Sequence, residues 1–196
     1  MSDLCYNYPE GSELIMKILA ISDTHGKLNK VRDVWSKLND IDLVLHAGDY
    51  YSDAKALASE LPVPVIGVRG NCDGGRRDDF EIVETEYGNI LLVHGHSQGV
   101  DYDLSNLGYF AMEHDCCAAV YGHTHRASVL EEKDIYFINP GSLSLPRDGS
   151  GGSYAIIRTS DERLDASIVY YNTIFGNKKS GGSGFIKGIL NYSDRL

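Results

Sequence analysis

One pattern limits the fold of this chain more than any other. Apolar runs of four to six residues each end in a short polar tip holding a carboxylate, an amide or an imidazole beside a glycine. Residues 17–22 (KILAIS) run into Asp23-Thr24-His25-Gly26, 42–46 into Ala47-Gly48-Asp49, and 63–68 into Arg69-Gly70-Asn71-Cys72-Asp73. Short β-prone runs closed by glycine read as buried strands. Between the first two, Leu28, Val31, Val34, Trp35 and Leu38 recur at helical spacing, which predicts an amphipathic helix over 27–39. A shorter helix is expected over 52–60, before Pro62. Strand, polar tip, helix, strand is the order of a parallel sheet with helices on its faces and polar residues gathered at its carboxyl edge.

From Phe80 the texture changes. Residues 80–85, 90–93 and 118–121 read as strands, and 101–115 as a helix weakened by Gly108. Residues 129–131 with 135–138, and 154–158 with 164–171, flank charged turns and read as hairpins. The second half is therefore expected to form a more antiparallel sheet, stacked face to face on the first.

The tips carry the chemistry. His123 and His125 sit two apart just past an extended run, so both project to one side. Two neutral imidazoles side by side are good ligands for a borderline divalent metal. Alone, the pair is better explained as a hydrogen-bonded loop. It is not alone: Asp23 with His25, Asp49, Asn71, and His94 with His96 occupy equivalent tips, and five of the seven histidines fall in this set. Scatter or core burial does not place them all after apolar runs and beside glycines.

Composition excludes some classes. A net charge of -10 argues against a nucleic-acid surface built on a basic field, though not against an anionic substrate at a locally positive metal site. The cysteines, Cys5, Cys72, Cys116 and Cys117, show no CxxC spacing, and an adjacent pair forms no unstrained structural disulfide, so a reduced, cytoplasmic setting is expected. No apolar window is long enough to span a bilayer, and the first fifteen residues lack the features of a secretory signal. No membrane partner is expected, and self-association into a homo-oligomer is left open. Residues 1–15 read as an extension or expression remnant, 16–171 as the folded domain, and 172–196 as a tail. Within that tail 177–184 (NKKSGGSG) has linker composition, and Phe185, Ile186, Ile189 and Leu190 fit either a short docking helix or a tag.

The ordered set DxH, GD, GN, HGH and GHTH resembles the calcineurin-like metallophosphoesterase family, and within it the small YfcE-type phosphodiesterases, which share GNCD, HGH and the Asn139-Pro140-Gly141-Ser142 segment. Five ordered motifs over roughly residues 16–170 are far more specific than any one of them. The resemblance implies an α/β fold, a four-layer αββα sandwich of two stacked mixed sheets flanked by helices, with a dinuclear metal site at the strand carboxyl ends. Carried over by position, it implies one ion held by Asp23, His25, Asp49 and His125, and another by Asp49, Asn71, His94 and His123, with Asp49 bridging. Manganese is the ion implied, with iron, zinc or nickel as alternatives. The implied reaction is hydrolysis of a small phosphodiester by in-line attack of a metal-bridging hydroxide. Asp49, Asn71 and His96 are the residues expected to act in catalysis, His96 beside the ions without ligating them. Many relatives carry a histidine directly after the GN asparagine, where this chain has Cys72, a weaker acid expected to serve packing. Asp73 fits either a partner that orients a ligand histidine or a turn cap. Ser142 lacks a base and is expected to shape the pocket wall. Arg69, Arg76, Arg77 and Arg126 flank the motifs and are placed to meet phosphate, but as surface charges they need no explanation and are left out of the expected site. Two other readings share the fold: a protein-binding scaffold like the retromer subunit, which tolerates loss of ligand histidines, and a phosphomonoesterase. Every expected ligand position is filled here, which favours the enzyme.

Overall fold

Side chains alternate along a strand, and here both alternating sets are apolar. Strand β1 (Met16–Ile21) turns Ile18 and Ala20 to one side and Leu19 and Ile21 to the other, all buried. A strand of this kind needs a packed layer on each face. The computed structural model, which describes residues 15–74 and 79–176, supplies both. Residues 1–14, Arg76 and Arg77, and the segment from 177 onward lie outside the described residues.

After β1 come α1 (Asn29–Trp35), β2 (Leu43–His46), α2 (Tyr51–Glu60), β3 (Val65–Gly67), β4 (Phe80–Glu84), β5 (Asn89–Val93) and α3 (Ser105–Glu113). The chain continues through β6 (Cys116–Val120), β7 (Ser128–Glu132), β8 (Ile135–Asn139), β9 (Ser153–Thr159), β10 (Leu164–Tyr170) and α4 (Tyr171–Phe175). Two five-stranded sheets result, in the orders β10-β9-β1-β2-β3 and β4-β5-β6-β8-β7. Their facing sides share one apolar layer, with Ile18, Ala20, Leu45, Ala155 and Ile157 from the first sheet against Ile90, Leu92, Ala118, Val120 and Ile138 from the second. The outer face of the first sheet (Leu19, Ile21, Val44) is covered by Val31 and Val34 of α1 and Leu57 of α2. The outer face of the second (Leu91, Val93, Ala119, Phe137) is covered by Leu107 and Ala111 of α3. The fold is the four-layer αββα sandwich.

Three expectations need correction. The β9–β10 hairpin joins the first sheet, not the second: β9 runs antiparallel to β1, with Ile18 opposite Ile157 and Leu19 opposite Ile156. Alternate residues of β9 are buried on both faces, so it fits only inside a sheet, and the free edge of β1 provides that place. Nor is the second sheet the more antiparallel one, since β5/β6 and β6/β8 are parallel while β4/β5 and β7/β8 are antiparallel. Finally, residue 171 opens helix α4 rather than ending a strand. The Tyr171 ring stacks on Phe175 at 4.5 Å, its hydroxyl donates to Asp33 Oδ2 at 2.7 Å, and both rings pack on the core.

The parallel pairs point the carboxyl ends of β1, β2, β3, β5 and β6 the same way, and backbone bonds join the tips. Asp23 N–H donates to Gly48 O at 3.0 Å, Val68 N–H to His46 O at 3.1 Å, and Gly122 N–H to His94 O at 3.1 Å. Among the described residues no helix is long and apolar enough to cross a membrane.

Candidate metal centre

Three of the tips are wound against the preferred hand of the chain. Asp23 (φ 53°), His25 (48°), Asp49 (53°), His123 (67°) and His125 (55°) all have left-handed backbones. For residues with a Cβ this costs about 1–2 kcal/mol each, so neighbouring structure must hold it. The segment after β8 does so. Asn139 Nδ2 donates to Gly122 O at 2.9 Å and Thr124 Oγ1 at 3.1 Å, Ser142 Oγ donates to Asp23 O at 2.9 Å, and Ser144 Oγ donates to Asp23 O and Thr24 O. Ser142 is fully buried, so it braces the Asp23 loop from behind and does not line a pocket wall. Behind the same loop, Gly48 N–H donates to His46 Nδ1 and the His46 Nε2–H therefore faces Thr24 Oγ1 at 2.8 Å; that hydroxyl donates to Asp53 Oδ2, which also accepts Gly26 N–H. Burial keeps His46 neutral, pushing its pKa below the ordinary value.

Four ligand-bearing residues converge: one atom from each of Asp23, His25, Asp49 and His125 lies within 4.8 Å of the others. His125 Nδ1 lies 2.6 Å from Leu145 O, so that nitrogen carries the proton and the Nε2 lone pair faces inward. There it meets His25 Nε2 at 3.4 Å and Asp23 Oδ1 at 3.3 Å. Asp23 Oδ1 is buried with no hydrogen-bond donor among the described residues. Burial opposes a charged His125, but the Asp23 carboxylate outweighs it and raises this imidazole's pKa.

A second group adjoins the first through Asp49. His94 donates Nδ1–H to Ala47 O at 2.7 Å and turns its Nε2 lone pair to Asn71 Oδ1 at 3.0 Å and Asp49 Oδ1 at 3.3 Å. His123 follows the same rule: Nε2–H donates to Asp101 Oδ2 at 2.7 Å, which leaves Nδ1 facing Asn71 Oδ1 at 2.9 Å. Asp49 Oδ1 belongs to this group, while Asp49 Oδ2 is 3.7 Å from His25 Nε2 in the other. Burial works to raise the Asp49 carboxyl, yet the Cys72 N–H at 3.0 Å and the nearby His94 outweigh it and lower its pKa. Three imidazoles thus spend their N–H outward and aim lone pairs at oxygen acceptors. Acceptors facing acceptors repel, and a cation between them removes that repulsion. The residues fit divalent metal.

His96 lies alongside, its ring 5.4 Å from that of His94 and 6.1 Å from that of His123. Cys72 is exposed rather than packed. Limited burial and the neighbouring Asp49 push its thiol up to about 11; its backbone N–H donates to Asp49 Oδ1, and its Sγ accepts from Asn71 Nδ2 at 3.6 Å. Asp73 touches no ligand histidine; it accepts Tyr51 N–H at 2.5 Å and Gly70 N–H at 2.8 Å, capping the start of α2 and its own turn. Arg69 pairs with Asp79 at 3.3 Å. Asp53, Asp101 and Ser144 went unrecognised in the sequence. Asp53 and Asp101 carried a weak signal, each an acid in the first turn of an expected helix, and Ser144 carried none.

Residues 16–162 match the calcineurin-like phosphoesterase superfamily domain. The chain belongs to that superfamily. It is 33% identical over 165 residues to the probable metallophosphoesterase YsnB of Bacillus subtilis, covering 83% of this chain and 94% of that one. It is 30% identical over 169 residues to the phosphodiesterase YfcE of Escherichia coli, covering 73% and 88%. Among solved structures, a predicted phosphoesterase of Streptococcus pneumoniae superposes with a TM-score of 0.69 at 26% identity, covering 82% of this chain and 92% of that one. Vacuolar protein sorting 29 of Cryptosporidium parvum shares the fold, with a TM-score of 0.63 at 20% identity and coverage of 79% and 97%. Family and donor set together place the chain among metal-dependent hydrolases of phosphate esters.

Proposed function

We propose that this superfamily member is a dinuclear-metal phosphodiesterase. The observation that carries the reading is the division of Asp49, whose two carboxylate oxygens face two different groups of inward-turned lone pairs. Asp23, His25, Asp49 and His125 would hold one ion, and Asp49, Asn71, His94 and His123 the other, with Asp49 shared. Divalent ions bound there supply Lewis acidity, lowering the pKa of coordinated water and neutralising charge on phosphoryl oxygens.

The chain's own residues do the rest. Asn71 contributes a neutral oxygen, so the ligand set holds only two carboxylates and leaves net positive charge for an anionic diester. Outward N–H bonds to Ala47, Leu145 and Asp101 fix each ring's tautomer and direction. His96, beside both His94 and His123, is the proposed proton donor to the leaving oxygen, because a thiol with a pKa of about 11 is a poor acid at neutral pH. The named diester hydrolase among the relatives supports a diester over a monoester, and manganese is the proposed ion.

The test is Asp49→Asn, with metal content and hydrolysis of bis(p-nitrophenyl) phosphate measured together. The expected outcome is loss of metal and a fall in turnover on the order of 10³-fold. Undiminished turnover rejects the shared carboxylate, and faster hydrolysis of p-nitrophenyl phosphate by the parent protein selects the monoesterase.

A further inference from the structure

A cavity of about 360 Å³ adjoins the candidate centre, lined by Val100, Asp101, Thr124, Arg126, Ser128 and Arg147. Its volume is in the range of ligand clefts. Its walls are tied to the centre by covalent and hydrogen bonds. Thr124 lies between His123 and His125, and Arg126 follows His125 directly. Arg147 N–H donates to His125 O at 3.0 Å, and its charge is close enough to oppose protonation of that imidazole. Asp101 holds His123 Nε2–H at 2.7 Å. A ligand in the cavity is therefore held in fixed relation to one at the centre.

Two guanidinium groups in that wall stand out in a chain of net charge -10. Of the other described arginines, Arg32, Arg69 and Arg163 pair with Glu60, Asp79 and Asp165, and Arg158 lies near Lys17, away from this cavity. Arg126 and Arg147 have no carboxylate partner among the described residues, although both side chains are exposed beside a cleft. The one carboxylate lining the cavity, Asp101, is directed to His123. Guanidinium forks recognise phosphate through paired charge-assisted hydrogen bonds, and unengaged ones facing a cleft are ready to do so.

We propose that this cavity is a second anion subsite, in which Arg126 and Arg147 hold a phosphate carried on one arm of the substrate while the scissile diester sits at the metal centre. The assignment rests on the phosphodiesterase reading above and narrows the substrate class to a phosphodiester bearing a further phosphate, such as a nucleotide ester phosphorylated at a second position.

Binding and turnover test it separately. Calorimetry compares thymidine 3′,5′-bisphosphate with thymidine 5′-monophosphate on the full, metal-loaded chain. The parent is expected to prefer the bisphosphate about tenfold or more, Arg126→Gln and Arg147→Gln each to reduce the ratio, and the double variant to bring it near one. Arg163→Gln, remote from the cavity, controls for lost surface charge. Equal affinity in the parent, or a preference that survives the double variant, overturns the subsite. In turnover, thymidine 5′-(p-nitrophenyl phosphate) with and without a 3′-phosphate is expected to give the same ordering in kcat/KM. Should no diester be hydrolysed, the catalytic reading fails and calorimetry still decides the subsite.

Discussion

Asp101 shows how a residue outside any motif sets the behaviour of one inside. Its carboxylate takes the Nε2–H of His123, and that single bond decides which nitrogen His123 turns to Asn71. On the proposed two-ion reading, Asp101→Ala is expected to weaken one of two binding steps in a metal titration by roughly 10–100-fold, with Asp101→Asn, which still offers an acceptor, falling between it and the parent. His46 acts through its protonation. Burial holds it below the ordinary value of 6.5, so the unfolded chain binds a proton before the folded one does. Its contribution to stability is present above that value and is lost as pH falls toward its folded pKa. His125, raised above 6.5, works in the opposite sense, its contribution fading as pH rises. Metal-free protein scanned from pH 7 to 5 is expected to lose melting temperature, and His46→Gln to flatten that slope. The residues at the strand tips were legible because apolar runs point to them. Asp101 was not, since no spacing links it to His123, and the left-handed backbone at Asp23, His25, Asp49, His123 and His125 leaves only the weak mark that aspartate and histidine tolerate it better than most residues.

At the scale of elements, the tips of β1 and β6 meet with no room between them. A Cβ on Gly122 would overlap Ser22 Oγ and come within 2.8 Å of Ala47 O and Asp23 Oδ2. Gly122→Ala is expected to cost about 1–3 kcal/mol in chemical denaturation and to lower metal affinity, because it crowds the Asp23 carboxylate whose Oδ2 accepts the His123 N–H and whose other oxygen faces the candidate centre. The same change at Gly149, where nothing lies within 4 Å, meets no such obstacle and serves as the comparison. Strands could be read from the sequence because each apolar run was short and glycine-closed, but their partners could not. The β9–β10 hairpin is apolar enough to join either sheet, and its place beside β1 is settled by tertiary packing. Helix ends were overextended for a related reason. Leu38 keeps the helical spacing, yet Lys37 and Leu38 bond three residues back to Val34 and Trp35, so the apolar stripe outlasts the helix as a tight turn. At the other helix, Asp103 Oδ1 takes the Ser105 N–H and begins α3 four residues later than the pattern implied.

For the whole molecule, the candidate centre joins both sheets: Asp23 and Asp49 follow strands of the first, while His94 and His123 follow strands of the second. Ions that bind only this assembled arrangement stabilise it by mass action, by about 2.7 kcal/mol at a hundredfold excess over the dissociation constant. For a domain of this size that corresponds to roughly 5–10 °C, so chelation is expected to lower the melting temperature by that amount and Asp49→Asn to abolish the difference. The five turned residues, at three of the tips, add a cost to this coupling. Glycine would relax each of them, so exchanging any of these aspartates or histidines for glycine trades a candidate ligand for an easier backbone. The chain thus keeps its ligand-bearing side chains at a backbone cost that the surrounding fold, and any cation gathered there, must offset.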